Sequence, residues 1–204
     1  RGVKVVNLAQ LVNRSSLMLV AKASSGIKTP DDMFGKTVGI WGGDFQIQPL
    51  AFFEKYNLNV QVIHQGNSLN LFLFDGVDVT TAMYYNEYNT LINSGLNTDE
   101  LNTFFFADYG LNFPEEGIYT TEDFLNNNPE ICSGFVKASL EGWLYAFMYQ
   151  EEAVNIIIKE MVKQKYPFNK PHQRWMLSKM KEVMFPSGKT AEFETLTETS
   201  FKFV

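Results

Sequence analysis

Three short stretches place groups able to hold a small flat ligand directly after apolar runs. Trp41, Gly42, Gly43, Asp44 and Phe45 follow the run at 37–40. Tyr84, Tyr85, Asn86, Glu87 and Tyr88 follow the run at 77–83, and Asp108, Tyr109 and Gly110 follow the phenylalanines at 104–106. Aromatic rings offer faces for stacking, and a carboxylate or amide among them offers acceptors and donors. A Gly-Gly turn between a strand and a helix also brings backbone N–H groups to one edge of a sheet. In open α/β folds ligands sit at the carboxyl ends of strands, so three such ends point to one site. Spacing alone also favours a plainer account of Trp41, a βα unit whose indole fills the core. The stretch lacks the full glycine fingerprint of a nucleotide site. Glu87 reads equally as a dipole partner at a helix start or as a ligand acceptor.

The elements that must position these groups are legible in the pattern. Residues 37–41 read as a strand, and Ile47, Leu50, Ala51 and Phe53 give the next segment one apolar helical face. Residues 59–64 alternate as a strand, 68–74 form a short helix, and 76–83 a turn and another strand. A helix begins near Tyr88, and 104–106 close a further strand. This is the βαβαβ rhythm of a parallel, doubly wound sheet. Upstream, 3–12 and 17–23 read as two strands. Thr29 is an N-cap before Pro30, Asp31 and Asp32. After Gly110 the character changes. A short strand at 117–120 precedes a capping box of Thr120 and Asp123. Helices then follow at 129–149, 151–163 and 172–184, with an exposed turn at 186–189. The first should bury Ile131, Phe135, Leu140, Trp143, Leu144 and Phe147, and the second Val154, Ile157, Ile158 and Met161.

Composition narrows the function. The 204 residues are ample for a core, and a net charge of −6 argues against nucleic acid as a partner. The single cysteine, Cys132, excludes an internal disulfide and any cysteine-rich metal site, and it reads as buried and inert. His64 and His172 lack carboxylate or cysteine neighbours at ligand spacing, so they read as surface or capping residues and no metal site is expected. Ser15, Ser16, Ser133 and Ser187 lie in no nucleophile elbow, and no catalytic residue is assigned. The glutamates at 151, 152, 192 and 194 read as solvated faces. No apolar run is long enough to span a bilayer and no signal peptide is seen. The chain opens at Arg1 without methionine, which suggests processing, truncation or a leader outside this sequence. Aromatic residues make up 15% of the chain, which suits a cleft for something flat.

Four segments, WGGDF at 41–45, YYNEY at 84–88, FADYG at 106–110 and KASLEGW at 137–143, occur in an order and spacing that carry a resemblance. Together they resemble the solute-binding proteins of ABC importers for thiamine-pyrimidine precursors, relatives of the fungal pyrimidine synthase and of sulfonate and taurine binders. The resemblance covers about residues 3–184. It implies an α/β, type II periplasmic-binding-protein-like fold, with two lobes, parallel-type sheets and a hinge. The first strands of lobe one would be absent from this chain. Residues 1–30 would be the remainder of lobe one and the crossover, 31–110 lobe two, and 111–204 a helical return to lobe one.

The resemblance also implies a function: capture of an aminopyrimidine such as hydroxymethyl-pyrimidine or its formyl-amino analogue. The ligand would pass to an ABC permease, from a periplasmic or lipid-anchored position outside a bacterial cytoplasmic membrane. No cofactor is implied, and the protein would be a monomer or a strand-exchanged dimer. Ligand contacts would come from Trp41, Gly42, Gly43, Phe45, Tyr84, Tyr85, Asn86, Glu87, Asp108 and Tyr109, with Asp108 the reserve for Glu87. A pyrimidine-synthase-type enzyme is the alternative, but that branch's cysteine-rich run and sacrificial histidine are not visible. A binder of sulfonate, taurine or nitrate is another, disfavoured by two acids at the expected cleft.

Overall fold

The computed structural model of the protein describes residues 2–185; the turn at 186–189, with Ser187, Glu192 and Glu194, lies outside the described residues. The chain divides into two compact units, Ser15–Asn112 and a split unit of Arg1–Arg14 with Phe113–Val204. The two N-terminal strands part company at this boundary. β1 (Val5–Val12) stays in the split unit, whereas β2 (Leu17–Lys22) enters the sheet of the continuous unit. Residues 15–30, grouped with lobe one on sequence, therefore lie in the same unit as 31–110.

The continuous unit is built on β2, β3 (Thr37–Ile40), β4 (Gln61–His64), β5 (Val79–Met83) and β6 (Leu101–Phe105), in the order β4-β3-β5-β2-β6. β3 pairs in parallel with β4 and with β5, as the βαβαβ rhythm requires. β2 runs antiparallel to both β5 and β6, so the sheet is mixed rather than wholly parallel. Leu17, Met18, Leu19, Val20 and Ala21 are all buried, and a strand apolar on both faces belongs in a sheet interior. Alternate β2 residues serve opposite faces. Leu17, Leu19 and Ala21 join Val38, Phe52, Phe104 and Phe106 in one cluster; Met18 and Val20 join Leu69, Phe72 and Leu91 in the other.

Helices α1 (Ile47–Lys55), α2 (Asn70–Leu73) and α3 (Glu87–Asn93) connect the strands. α1 buries a different face from the one expected. Ile47 and Leu50 are exposed, while Gln48, Pro49, Phe52 and Phe53 are buried. The Phe52 ring meets Phe106 at 5.5 Å and Tyr109 at 5.2 Å between centroids. The buried Gln48 amide is satisfied, donating to Leu111 O at 2.8 Å and Ser15 Oγ at 3.0 Å. Two aromatic rings and one paired amide outweigh the apolar spacing.

In the split unit β1 pairs antiparallel with β7 (Glu115–Thr121). Thr121, one residue beyond the expected cap, accepts from Phe124 N at 3.2 Å and starts α4 (Glu122–Asn127). α5 (Pro129–Met148), α6 (Gln150–Lys163) and α7 (Lys170–Met184) follow. Phe147 and Val154 are buried as expected, but Ile131, Phe135 and Ile157 are exposed. Arg174 of α7 grips Glu151 of α6 through both carboxylate oxygens and holds that carboxyl down to about 2. Among the described residues no helix is long and apolar enough to cross a membrane.

Candidate functional site

The site lies in the continuous unit, where β3, β4 and β5 end side by side. After β3 the chain passes Trp41 and an extended Gly42, then turns at Gly43, whose φ of 67° lies in the left-handed region that glycine enters freely. The turn delivers Phe45, whose ring meets Trp41 edge-on at 5.9 Å. The Trp41 indole donates to Gly66 O at 3.1 Å, which ties the end of β3 to the loop after β4. The end of β4 contributes His64, the loop after it Gln65, Gly66 and Asn67, and the end of β5 and the turn after it Met83, Tyr85, Asn86 and Glu87. With Trp41, Gly42 and Phe45 these residues line a cleft of about 700 Å³.

Glu87 opens α3 and is the one carboxylate among the residues lining the cleft. Its Oε2 accepts from Met83 N at 3.0 Å and its Oε1 from Asn86 Nδ2 at 2.8 Å. Burial pushes the carboxyl above its ordinary value, and backbone N–H groups of Met83 and of Glu87 itself oppose that shift. An ionised carboxylate has about four acceptor positions, so these bonds leave capacity for a ligand. No Lys or Arg is among the described lining residues. Aromatic faces, an acid and the amides of Asn67 and Asn86 suit a flat ring that presents N–H donors.

The structure brings together Trp41, Gly42, Phe45, Tyr85, Asn86 and Glu87 of the residues expected from sequence, and leaves Gly43, Tyr84, Asp108 and Tyr109 out of the cleft lining. Tyr84 packs against Phe105 at 5.4 Å and Tyr88 at 5.9 Å. Tyr109 packs among Phe52, Tyr56 and Phe104, where burial raises its phenol pKa. Asp108 is exposed. The cause is β2. It stands between β5 and β6, so the end of β6 is two strand spacings, roughly 10 Å, from the end of β5. Conversely, His64, Gln65, Gly66, Asn67 and Met83 were not expected in the lining. The signal was present, because 61–64 is a strand and the same carboxyl-end rule applies to it. Among the described residues no group of three His, Cys, Asp or Glu is placed to hold a metal ion.

Comparison with known proteins places the chain. The family profile described as NMT1/THI5 like matches residues 1–153. A riboflavin-binding protein, RibY, of Chloroflexus aurantiacus is 26% identical over 166 residues, covering 78% of this chain and 46% of its own. The fold is similar to the periplasmic aliphatic sulphonate binding protein SsuA of Escherichia coli, with a TM-score of 0.66 at 15% identity over 85% of this chain and 55% of that one. It is also similar to the alkanesulfonate-binding protein SsuA of Xanthomonas axonopodis pv. citri, bound to MOPS, with a TM-score of 0.59 at 10% identity over 98% of this chain and 74% of that one. The chain thus spans about half the length of the first of these relatives. It belongs to the NMT1/THI5-like family, with a mixed α/β fold of the two-lobed periplasmic-binding class.

Proposed function

We propose that this NMT1/THI5-like chain is the substrate-binding part of an ABC importer, working outside the cytoplasmic membrane, and that its ligand is an aminopyrimidine precursor of thiamine. The observation that carries the reading is the largely buried Glu87 carboxylate in a cleft with Trp41, Phe45 and Tyr85 and no lining cation. An aminopyrimidine presents a ring nitrogen beside an exocyclic amine. A carboxylate matches that edge with two parallel hydrogen bonds once the ring nitrogen carries a proton. Trp41 supplies a face for the ring. The alternative of a synthase-type enzyme has less support: the solved structures named above are binding proteins. A sulfonate ligand, as in the SsuA names, would meet an acid and no cation in this cleft.

A second reading, riboflavin, is favoured by the RibY similarity and by a cleft of about 700 Å³, which is roomy for a single ring. One experiment separates the readings. The purified protein is analysed by native mass spectrometry and by thermal shift with hydroxymethyl-pyrimidine, formyl-aminopyrimidine, thiamine, riboflavin and taurine. The reading expects a shift with the aminopyrimidines and none with taurine. A shift with riboflavin alone transfers the assignment to the second reading, and a shift with taurine alone overturns both.

A further inference from the structure

Below the cleft lies a buried polar device that neither a stacking surface nor an acid explains. Gln65, the residue after β4, is 2% exposed yet belongs to the cleft lining. Its backbone N–H continues the β3–β4 ladder by donating to Ile40 O at 2.8 Å. Its side-chain amide is doubly engaged. Nε2 donates to Thr81 O at 3.1 Å, and Oε1 accepts from Thr80 Oγ1 at 2.5 Å. Thr80 is also buried and stands opposite Gly39 in the β3–β5 pairing. A Cβ built on Gly39 would come within 2.9 Å of Gln65 Oε1, which explains a glycine in the interior of β3. β3 leaves a slot at Gly39, and the Gln65 amide lies across it, bonded to β5.

The residue after Gln65 is Gly66, whose carbonyl takes the Trp41 indole N–H. We infer that Gln65 is a positioning residue: clamped over Gly39 by Thr80 and Thr81, it fixes the Gly66 carbonyl and so holds the Trp41 ring at the cleft. Trp41 is only partly buried, so packing does less to fix its ring than it does for Phe52. A buried amide whose donor and acceptor are both used has one orientation, whereas an apolar side chain of the same size slides. The geometry of the stacking face thus originates in a side chain whose amide is bonded to Thr80 and Thr81 of β5.

The consequence for ligand affinity rests on the aminopyrimidine reading, but the positioning itself does not. Trp143→Phe with Trp175→Phe leaves Trp41 as the only tryptophan. In that background Gln65→Met keeps the volume and removes both amide bonds. Expected are a rise of about twofold in acrylamide quenching of Trp41 and a loss of about tenfold in affinity for hydroxymethyl-pyrimidine. Gly39→Ala should move both readouts the same way, since its methyl displaces the Gln65 amide. The two changes should be non-additive, the double variant resembling Gln65→Met alone. Gln65→Glu, which keeps the acceptor for Thr80, should fall between parent and Gln65→Met. Unchanged quenching in a cooperatively folded Gln65→Met protein overturns the proposal, as does full additivity. If Gln65→Met does not fold, Gly39→Ala decides by the same readout. Failure of the parent to bind hydroxymethyl-pyrimidine would sink the ligand reading while the quenching still tests Gln65.

Discussion

The two units differ in how their apolar residues are used. In Ser15–Asn112 both hydrophobic clusters pack around a five-stranded sheet, with Phe52, Phe72, Phe104 and Phe106 almost wholly buried, although Phe34 and Phe74 of this unit are exposed. Among the described residues of the other unit the sheet has two strands, and the helices show large apolar side chains to solvent, Ile131 and Phe135 each at 60% and Met148 at 70%. A two-stranded ribbon is marginal on its own, and burial at about 25 cal/mol per Å² rewards only the closed arrangement. Stability should therefore concentrate in the continuous unit, whose cleft lies beyond its packed core. A rigid scaffold with its polar lining at the strand ends is what a ligand site requires.

The sharpest way to break that contrast is to delete one aromatic ring from each unit. Phe52→Ala should lower unfolding free energy by about 3–5 kcal/mol, and Phe135→Ala by no more than about 0.5 kcal/mol. Urea denaturation followed by circular dichroism measures both. Comparable losses would mean that the exposed face of α5 is covered in solution. A smaller effect distinguishes core from cleft within the continuous unit. Trp41→Ala should weaken binding of hydroxymethyl-pyrimidine by about 1–3 kcal/mol by calorimetry. A large loss of stability at unchanged affinity would return Trp41 to the core.

The acids sharpen the comparison further. Glu87→Gln turns one acceptor into a donor and should cost up to about 1.5–3 kcal/mol of affinity, whereas Asp108→Asn should leave binding unchanged. An affinity for Glu87→Gln within threefold of the parent would move the acid's role elsewhere.

The smallest expected effect is on stability against pH. The folded-state pKa of Glu87 lies above its ordinary value of 4.5, because burial disfavours the charged form, so folding favours its protonated form. Its contribution is fully present below 4.5 and is lost as pH rises through the raised folded value. Thermal melts of the ligand-free Glu87→Gln variant should accordingly fall less than those of the parent as pH increases over that window. Parallel curves would show that the carboxylate is not desolvated.

How much of this was legible in the chain follows from particular residues. Local pattern sufficed to find β3, β4, β5 and β6, as apolar or alternating runs bounded by turns, and the extents of α5 to α7, although Ile131, Phe135 and Ile157 are exposed where the apolar stripe put them inward. It did not reveal sheet order. Nothing in the apolar run at 17–22 says that this strand inserts between β5 and β6, and that insertion removes Asp108 and Tyr109 from the cleft lining. The α1 face was misread because Gln48 is buried through partners at Ser15 and Leu111, distant in sequence. His64 and Gln65 were missed for a different reason. The carboxyl-end argument was available for their strand, but it had been tied to Phe, Tyr, Trp and acidic residues, and His64 and Gln65 are none of these.

The placement of β2 also bears on how the protein comes to exist. β2 is made before every other strand of its sheet, yet its partners are Val79–Met83 on one side and Leu101–Phe105 on the other. During synthesis from the N-terminus the segment Leu17–Lys22 must wait, apolar on both faces and unpaired, until β5 and β6 have emerged. Such long-range pairing makes for slow folding, and a waiting strand of this kind is the natural nucleus of aggregation. A nascent chain halted before residue 101 would keep one edge of β2 open, so the sheet closes only when its last-made strand arrives.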